Sequence, residues 1–286
     1  MPVNFSNVFY TYNPKTPLES AALNGVDLQI EDGSFTAIVG RTGSGKSTMV
    51  QMINALLSPS AGEVTVNEFV NSSDKKKCTK KLYKVRRQVG LVFQFPEYQL
   101  FAETVEKDVA FAPKNFGLKD AEALEEAHKA LRQVGLDESF DKRSPFELSG
   151  GEKRRVAIAG ILAFHPSILV VDEPTAGLDP RGAMEMMELF EEVHKAGATI
   201  ILVTHDMNIV LRYAQKVFVV EEGKIVRATD PRSLFFEDIE KYSLERPLLY
   251  SFVDNISKRG FQLDASKIQD VETLAAEIVA KRGKKK

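Results

Sequence analysis

Hydrophobic residues in this chain fall mainly into short continuous runs, separated by longer segments with helical periodicity. The runs at residues 35–39, 89–93, 168–171 and 199–203 are apolar almost throughout, which predicts strands that are buried on both faces. The intervening segments predict helices at residues 49–57, 104–111, 120–134, 149–164, 181–195 and 206–214. Strands that alternate with helices are typical of a mostly parallel sheet covered by helices on both sides, an α/β fold.

The N-terminal region has a different pattern, in which apolar and polar residues alternate with a period of two. This alternation predicts strands at residues 3–12, 23–30 and 63–66. We therefore expect a small antiparallel β layer beside the parallel sheet. Two further strands, at residues 216–220 and 224–228, are expected to pair through a turn at Glu221-Glu222-Gly223.

The C-terminal part, from about residue 233, has the pattern of short amphipathic helices, at residues 239–260 and 266–282. We interpret residues 231–286 as a helical appendage to a domain that spans residues 1–230. The first of these helices has an apolar face that consists of Leu248, Leu249, Phe252, Val253 and Ile256. This face packs either on the chain's own domain or on a partner, and the sequence favours neither.

Composition limits the classes of protein to which the chain can belong. Of its 286 residues 43% are hydrophobic, as in an ordinary folded protein, and the net charge of −2 provides no general attraction to nucleic acid. The single cysteine, Cys78, excludes an intramolecular disulfide and fits a reducing compartment. No apolar run is long enough to span a membrane, and the N-terminus lacks a signal-peptide pattern. We expect a cytosolic protein that reaches a membrane only through a partner or a surface.

Residues 71–87 carry an unusual concentration of positive charge. Residues 71–74 are expected to form a loop, and eight basic residues follow: Lys75, Lys76, Lys77, Lys80, Lys81, Lys84, Arg86 and Arg87. Such a run forms either a solvated loop and helix face or a patch that faces phosphate or lipid headgroups. The sequence leaves both open.

A glycine-rich loop follows the first buried run and precedes a predicted helix. It consists of Gly40, Arg41, Thr42, Gly43, Ser44, Gly45, Lys46, Ser47 and Thr48. A strand, a loop of this composition and a helix together are the context of a nucleotide phosphate-binding loop, or P-loop. Backbone N–H groups hold phosphate oxygens there, Lys46 reaches the β- and γ-phosphates, and the Ser47 hydroxyl is a ligand of Mg²⁺.

Polar residues at the ends of other predicted strands complete a candidate catalytic site. Asp172 ends the run at 168–171 and suits Mg²⁺ binding, while Glu173 stands where a carboxylate can orient or deprotonate an attacking water. His205 follows another strand and can bond a γ-phosphate oxygen or the water. Gln94 ends a third strand, where it can contact both Mg²⁺ and the water.

A second helix start with the composition of an anion site lies at Ser149, Gly150, Gly151 and Glu152. One nucleotide cannot readily use two such sites in one chain, so we expect a dimer in which this segment caps the partner's ATP. Tyr12 offers a flat ring for stacking on adenine. Tyr10 lies two residues away on the same predicted face, so the pattern does not separate the two tyrosines.

Taken together, these motifs resemble an ATP-binding-cassette ATPase over about residues 3–230. The P-loop, Gln94, the segment 148–152, Asp172-Glu173, the segment 176–179 and His205 occur in that family's order. The resemblance implies that Glu173 is the catalytic base, that His205 is the switch histidine, and that Asp179 belongs to a loop crossing the dimer interface. It also implies a P-loop NTPase fold with a helical subdomain at about residues 95–165. Glu152 stands where the family usually has glutamine, and an added acid there could slow turnover.

Within that family, residues 92–101, 144–151 and 156–160 resemble the energy-coupling factor transporters of prokaryotes, and more specifically their second ATPase. This resemblance implies a heterodimer with a homologous ATPase, in which the C-terminal helices form the dimer contact. It also implies a membrane T subunit, a substrate-binding S subunit, and a peripheral location on the cytoplasmic face of the membrane. The transported substrate would be a vitamin or a transition-metal ion.

Three alternatives to this function remain. The chain could be the ATPase of another ATP-binding-cassette transporter, a soluble cassette acting on DNA or ribosomes, or a catalytically silent cassette. Neither a long coiled coil nor a second cassette is present in the sequence, which argues against the second alternative. Glu173 and His205 argue against the third.

Overall fold

The computed structural model describes residues 3–259, 261, 263, 264, 267, 268 and 271–282. The strands are β1 (Val3–Tyr12), β2 (Ser20–Ile30), β3 (Phe35–Val39), β4 (Ala61–Val66), β5 (Phe69–Ser72), β6 (Val89–Val92), β7 (Ile168–Asp172), β8 (Thr199–Val203), β9 (Lys216–Glu221) and β10 (Lys224–Thr229). The α-helices are α1 (Lys46–Ile53), α2 (Val105–Val109), α3 (Phe111–Asn115), α4 (Asp120–Gln133), α5 (Gly150–Leu162), α6 (Pro180–Lys195), α7 (Met207–Tyr213), α8 (Pro231–Phe236), α9 (Leu248–Lys258) and α10 (Val271–Arg282). The predicted helix at 266–282 begins outside the described residues, and nothing is assigned to 283–286.

A six-stranded sheet forms the centre of the molecule, with the strand order β10-β9-β3-β8-β7-β6. Every neighbouring pair is parallel except β9 and β10. Side chains alternate between its two faces: Leu169 and Val171 pack with helices α2 and α4 to α6, whereas Ile168 and Val170 pack with α1 and the N-terminal strands. The predicted mostly parallel, doubly covered sheet is confirmed.

The second sheet is antiparallel and has the order β2-β1-β4-β5, which confirms the predicted β layer. The prediction of a loop at residues 71–74 is wrong in its first half. Asn71 and Ser72 pair with Val64 and Glu63 as the end of β5. Asn71 is buried, and its side-chain amide donates to the carbonyl of Leu57 at 2.8 Å, so long-range pairing overrides its local preference for a turn.

The helical region between β6 and β7 differs in one respect from the prediction. In place of one helix at residues 104–111, α2 ends at Val109 and α3 begins at Phe111. Pro113 explains the break, because it has no N–H to donate to the carbonyl of Val109. Helix α4 buries Ala127 and Leu131 in the same core as α5.

The C-terminal helices pack in two places. Leu234 and Phe235 of α8, with Tyr250 of α9, are buried against β3 and β9, while Val253 packs with Leu274 of α10 in a small separate cluster. The predicted apolar face of α9 is therefore only partly covered by the chain itself. Leu249 and Val253 point inward, whereas Leu248 and Phe252 are 74% and 49% exposed. Among the described residues, no helix combines the length and apolar character that a membrane crossing requires.

Candidate nucleotide site

The P-loop joins the end of β3 to the start of α1, and two of its glycines are required by the packing around it. Gly40 and Gly45 have φ angles of 147° and 108°. A Cβ atom on Gly40 would lie 2.2 Å from the carbonyl oxygen of Val220, and one on Gly45 would lie 2.6 Å from that of Ala22. The loop is thus held against β9 on one side and β2 on the other, a contact that only glycine allows.

Lys46 lies inside this loop and is only 8% exposed. Its Nζ atom donates to the carbonyl oxygens of Gly40 at 2.7 Å and Arg41 at 2.8 Å. Burial lowers the pKa of Lys46, and the nearby carboxylates of Glu173 and Asp172 oppose that shift. The ammonium group is therefore placed at the centre of the loop, where a phosphate oxygen is an alternative partner to the two carbonyls.

Asp172 ends β7, opposite Val203 at the end of β8. Burial raises the pKa of its carboxyl group, and a neighbouring charge on Glu173 acts in the same direction. A hydrogen bond from the Ser47 hydroxyl and the charge of Lys46 partly offset this. A carboxylate and a hydroxyl so close together are a donor set that suits a small divalent cation.

Glu173 and His205 meet directly beyond the ends of β7 and β8. Nδ1 of His205 lies 2.9 Å from each carboxylate oxygen of Glu173, and the Thr204 hydroxyl donates to Oε2 at 3.4 Å. The backbone N–H of Glu173 donates to the carbonyl of Val203 at 2.9 Å, and its φ angle is 49°. A left-handed conformation is uncommon for glutamate, and here it turns the carboxylate toward the histidine.

The structure separates the two tyrosines that the sequence left open. Tyr12 lines the same pocket as the P-loop, and its hydroxyl lies 3.0 Å from Oγ1 of Thr48. Tyr10 is packed against the core beneath the antiparallel sheet, with its ring edge-on to that of Tyr12 at 4.8 Å. Tyr12 is therefore the aromatic ring that faces the pocket.

These residues surround a pocket of about 420 Å³. Of the predicted site residues, it is lined by Tyr12, Thr42, Gly43, Gly45, Lys46, Ser47, Thr48, Gln94, Asp172, Glu173 and His205. Gly40, Arg41 and Ser44 belong to the loop without lining this pocket, although Arg41 and Ser44 border a second cavity on its outer side. The strand ends and the loop thus converge as the sequence predicts.

The segment from Ser149 to Glu152 does not join this pocket. It begins α5, where the Ser149 hydroxyl accepts from the backbone N–H of Glu152 at 3.4 Å and the Glu152 carboxylate accepts from that of Ser149 at 2.7 Å. Hydrogen bonds from the side chain and the backbone N–H of Ser149 to the Glu152 carboxylate lower the pKa of that group. Gly151 shares a different cavity with Asp179, whose carboxylate caps α6 by accepting from Gly182 N–H at 2.7 Å. The two motifs therefore lie at two separate cavities of one chain.

Sequence reasoning missed Arg154, a buried arginine on α5 that is 4% exposed. Its guanidinium donates to the carbonyl oxygens of Gln94 at 2.9 Å and Ala176 at 2.8 Å, and to the Glu97 carboxylate at 3.3 Å. It thus joins α5, the helix that Ser149 caps, to two loops that border the nucleotide pocket. Its position on α5 gives no signal of this, because charged residues on helices are usually solvated.

A larger groove lies between the antiparallel sheet and the helical region, with a volume of about 810 Å³. Tyr83, Arg86 and Arg87 line one side, and Phe111 and Phe116 line the other. Its walls combine aromatic and arginine side chains, two residue types that are enriched at protein interfaces.

Known proteins are similar to this chain in sequence. The profile of the family described as ABC transporter matches residues 23–176. The energy-coupling factor transporter ATP-binding protein EcfA2 of Enterococcus faecalis is 52% identical over 267 residues, which are 92% of this chain and 92% of that protein. EcfA2 of Lactiplantibacillus plantarum is 48% identical over 282 residues, which are 98% of this chain and 95% of that protein.

Solved structures share the fold. CbiO1 from Clostridium perfringens, part of the ABC transporter complex CbiONQ, has a TM-score of 0.73 and 36% identity, over 90% of this chain and 98% of that one. A dimeric ATP-binding cassette in a post-hydrolysis state, bound to ADP and Pi, has a TM-score of 0.70 and 33% identity, over 80% of this chain and 98% of that one.

Proposed function

The chain belongs to the ATP-binding-cassette family and, within it, to the ATP-binding proteins of energy-coupling factor transporters, and from this premise we propose which residues and partners perform its work. As a member it is an ATPase subunit that drives transport. What remains to be assigned is the part that each residue has in binding ATP, in hydrolysing it and in assembling with other subunits.

The residues of the pocket fit ATP and Mg²⁺. Lys46 and the P-loop N–H groups offer donors for phosphate oxygens, and among the described residues the buried Ser44 hydroxyl finds no hydrogen-bond partner. Ser47, Gln94 and Asp172 offer oxygen ligands for Mg²⁺. When bound, that ion would neutralise charge on the phosphates. Tyr12 is placed to stack on the base.

Hydrolysis is assigned to the pair Glu173 and His205. Glu173 acts as the general base toward a water in line with the γ-phosphate, and His205 holds its carboxylate through Nδ1. Nε2 of the same ring is then available for a phosphate oxygen. Because both groups extend from adjacent strand ends, small movements of either loop change their alignment.

The second half-site, Ser149 to Glu152 with Asp179, acts on the ATP of a homologous partner ATPase. The observation that carries this proposal is the separation within one chain of the nucleotide pocket and the cavity lined by Gly151 and Asp179. Two chains facing each other would complete both sites, and ATP between them would close the dimer. The exposed Leu248 and Phe252 of α9 are proposed to hold the pair together when it opens.

We further assign the groove lined by Tyr83 and Phe111 to a membrane T subunit, which in turn carries a substrate-binding S subunit. The chain is then peripheral to the cytoplasmic face of a prokaryotic cell membrane. Its transported substrate is a vitamin or a transition-metal ion, recognised by the S subunit. No part of this function requires nucleic acid.

The experiment that tests these roles uses the transporter purified from detergent-solubilised membranes through a tag on this chain. A membrane protein and a second ATPase should co-purify. Glu173→Gln, introduced together with the equivalent change in the partner, should keep ATP binding and reduce hydrolysis by at least about 100-fold, as removal of a general base does. Glu192→Gln on the exposed surface of α6 is the control. Near wild-type hydrolysis in the Glu173→Gln assembly would remove Glu173 from the role of base.

A further inference from the structure

The function proposed above accounts for only part of one feature of the sequence, a basic patch between β5 and β6. We define the basic patch as Lys75, Lys76, Lys77, Lys80, Lys81, Lys84, Arg86 and Arg87, and residues 75–87 contain no acidic side chain. Taking these eight from the 38 basic residues leaves 30, against 40 acidic residues, so the remainder of the chain has a formal charge of −10. The molecule is therefore strongly polarised in charge although its net charge is only −2.

Among the described residues, no acidic side chain pairs with the charges of the basic patch. All eight side chains are exposed, and among the described residues none of the eight forms a salt bridge. Arg86 donates one hydrogen bond, to the carbonyl of Ala55 at 3.3 Å. Some exposed cations elsewhere, such as Lys129 and Lys195, pair with acidic neighbours on their own helices. Unpaired like charges close together repel one another, so this arrangement favours an anionic partner.

A folded support presents the basic patch at the surface. The carbonyl of Asp74 accepts from the N–H groups of Lys77 and Cys78 at 3.0 Å. The Thr79 N–H donates to the carbonyl of Val70 in β5 at 2.8 Å, and the Val70 N–H donates to the Thr79 hydroxyl at 2.9 Å. Residues Leu82–Arg87 form a 3₁₀ helix in which Val85 is buried. The backbone that bears the lysines is thus tied to the sheet, so the positive charges occupy one defined region.

The basic patch is continuous with the groove assigned above to the membrane subunit. Lys84, Arg86 and Arg87 belong to both, since they line that groove, and Tyr83 lines it beside them. Tyr83 is 60% exposed among the cations. Tyrosine next to lysine and arginine is the composition found at the level of lipid headgroups, where one end of the ring is apolar and the other wet.

We propose that the basic patch binds the anionic phospholipid surface beside the membrane subunit. The attraction of several lysines and arginines to negative headgroups adds up, while the negatively charged remainder of the chain is repelled, so the contact also sets the orientation of the chain. This proposal rests on the membrane location proposed above. A nucleic acid would meet the same charge, but continuity with the docking groove places the basic patch toward the membrane.

The test measures co-flotation of the full-length chain with vesicles in the absence of any membrane subunit. One set of vesicles consists of phosphatidylcholine alone, and the other contains about one third phosphatidylglycerol. We expect binding only to the second set, and weaker binding as salt increases, because screening reduces attraction between exposed charges. Lys75→Gln/Lys76→Gln/Lys77→Gln should weaken binding by at least about tenfold, since each lysine near an anionic surface contributes roughly a factor of five.

The matched control removes the same charge elsewhere, as Lys119→Gln/Lys195→Gln/Lys258→Gln, and should change vesicle binding by less than about twofold. Equal losses in the two triple variants, or equal binding to both vesicle sets, overturn the proposal. So does a patch variant that keeps its vesicle binding but loses binding to the membrane subunit or to a labelled RNA. ATP affinity of each variant is measured in parallel. Because the basic patch lies outside the nucleotide pocket, a variant can lose vesicle binding and keep ATP binding, so failure of the lipid proposal is distinguishable from failure of the ATPase assignment.

Discussion

Arg154 provides the sharpest test of how helix α5 is joined to the loops that border the nucleotide pocket. Replacing it with methionine keeps much of the side chain's length and apolar stem but removes all three of its hydrogen bonds. The Glu97 carboxylate, whose side chain is 18% exposed, loses its ion pair, and the carbonyls of Gln94 and Ala176 lose charged donors.

The expected loss of stability follows from the burial of the ion pair between Arg154 and Glu97. Removing one partner of a buried ion pair costs about 3–5 kcal/mol, and the partial exposure of Glu97 places Arg154→Met near the lower end, at about 3 kcal/mol. Arg155→Met is the matched control on the same helix. Arg155 is 32% exposed and bonds to Glu185 and to the carbonyl of Val134, so its removal should cost about 1 kcal/mol.

The assay is urea unfolding followed by far-UV circular dichroism, combined with ATP binding and hydrolysis in the assembled transporter. Arg154→Met should lower the free energy of unfolding and impair hydrolysis, because Gln94 and the loop before Asp179 lose a shared anchor. ATP affinity should stay within about twofold, since Arg154 does not line the pocket. If Arg154→Met unfolds within 1 kcal/mol of the wild type, or no more easily than Arg155→Met, this reasoning is refuted.

Three further predictions concern the pocket and the C-terminal helix. Lys46→Ala should weaken ATP binding by about 2 kcal/mol, or roughly 30-fold, measured by calorimetry, because a charge-assisted contact is removed; unchanged affinity would contradict it. The raised pKa of Asp172 means that its carboxyl group gains a proton at a higher pH than an ordinary aspartate does. As pH falls, Mg²⁺-dependent ATP affinity should therefore begin to decline at a higher pH than it would with an aspartate of ordinary pKa. The Asp172→Asn variant should bind Mg²⁺-ATP more weakly and without this pH dependence. If its affinity changed with pH in the same way as that of the wild type, Asp172 would not be the Mg²⁺ ligand. Leu248→Ser/Phe252→Ser should loosen the ATPase pair while leaving the thermal midpoint nearly unchanged, whereas the buried Val253→Ser should lower it; the reverse result would assign the exposed face to the chain's own fold.

Much of the fold was predictable because its signals are local. Continuous apolar runs mark the strands of the parallel sheet, and the residues just after them, Asp172, Glu173 and His205, meet because parallel strands end at one edge. The start of α1 at Lys46 was predicted three residues late, since glycine and serine in the loop conceal a helix start.

The features that escaped prediction depend on distant partners. Asn71 is buried in β5 through pairing with β4 and through the carbonyl of Leu57, neither of which is visible in its own segment. Arg154 is buried because three acceptors from other loops surround it. The division of the α9 face between Val253 and Phe252 likewise depends on where α10 lies. Helical periodicity identifies an apolar face but does not identify what covers it.

The close approach of Gly40 and Gly45 to the neighbouring strands has a mechanical consequence. The backbone of the P-loop touches β9 and β2 without intervening side chains, and the N–H of Gly223 in the β9–β10 turn also donates to the Ser44 carbonyl at 2.9 Å. Because both sheets contact this one loop through backbone atoms, we expect the two sheets and the P-loop to move together. We therefore expect any large hinge motion during turnover to move the helical region relative to the P-loop.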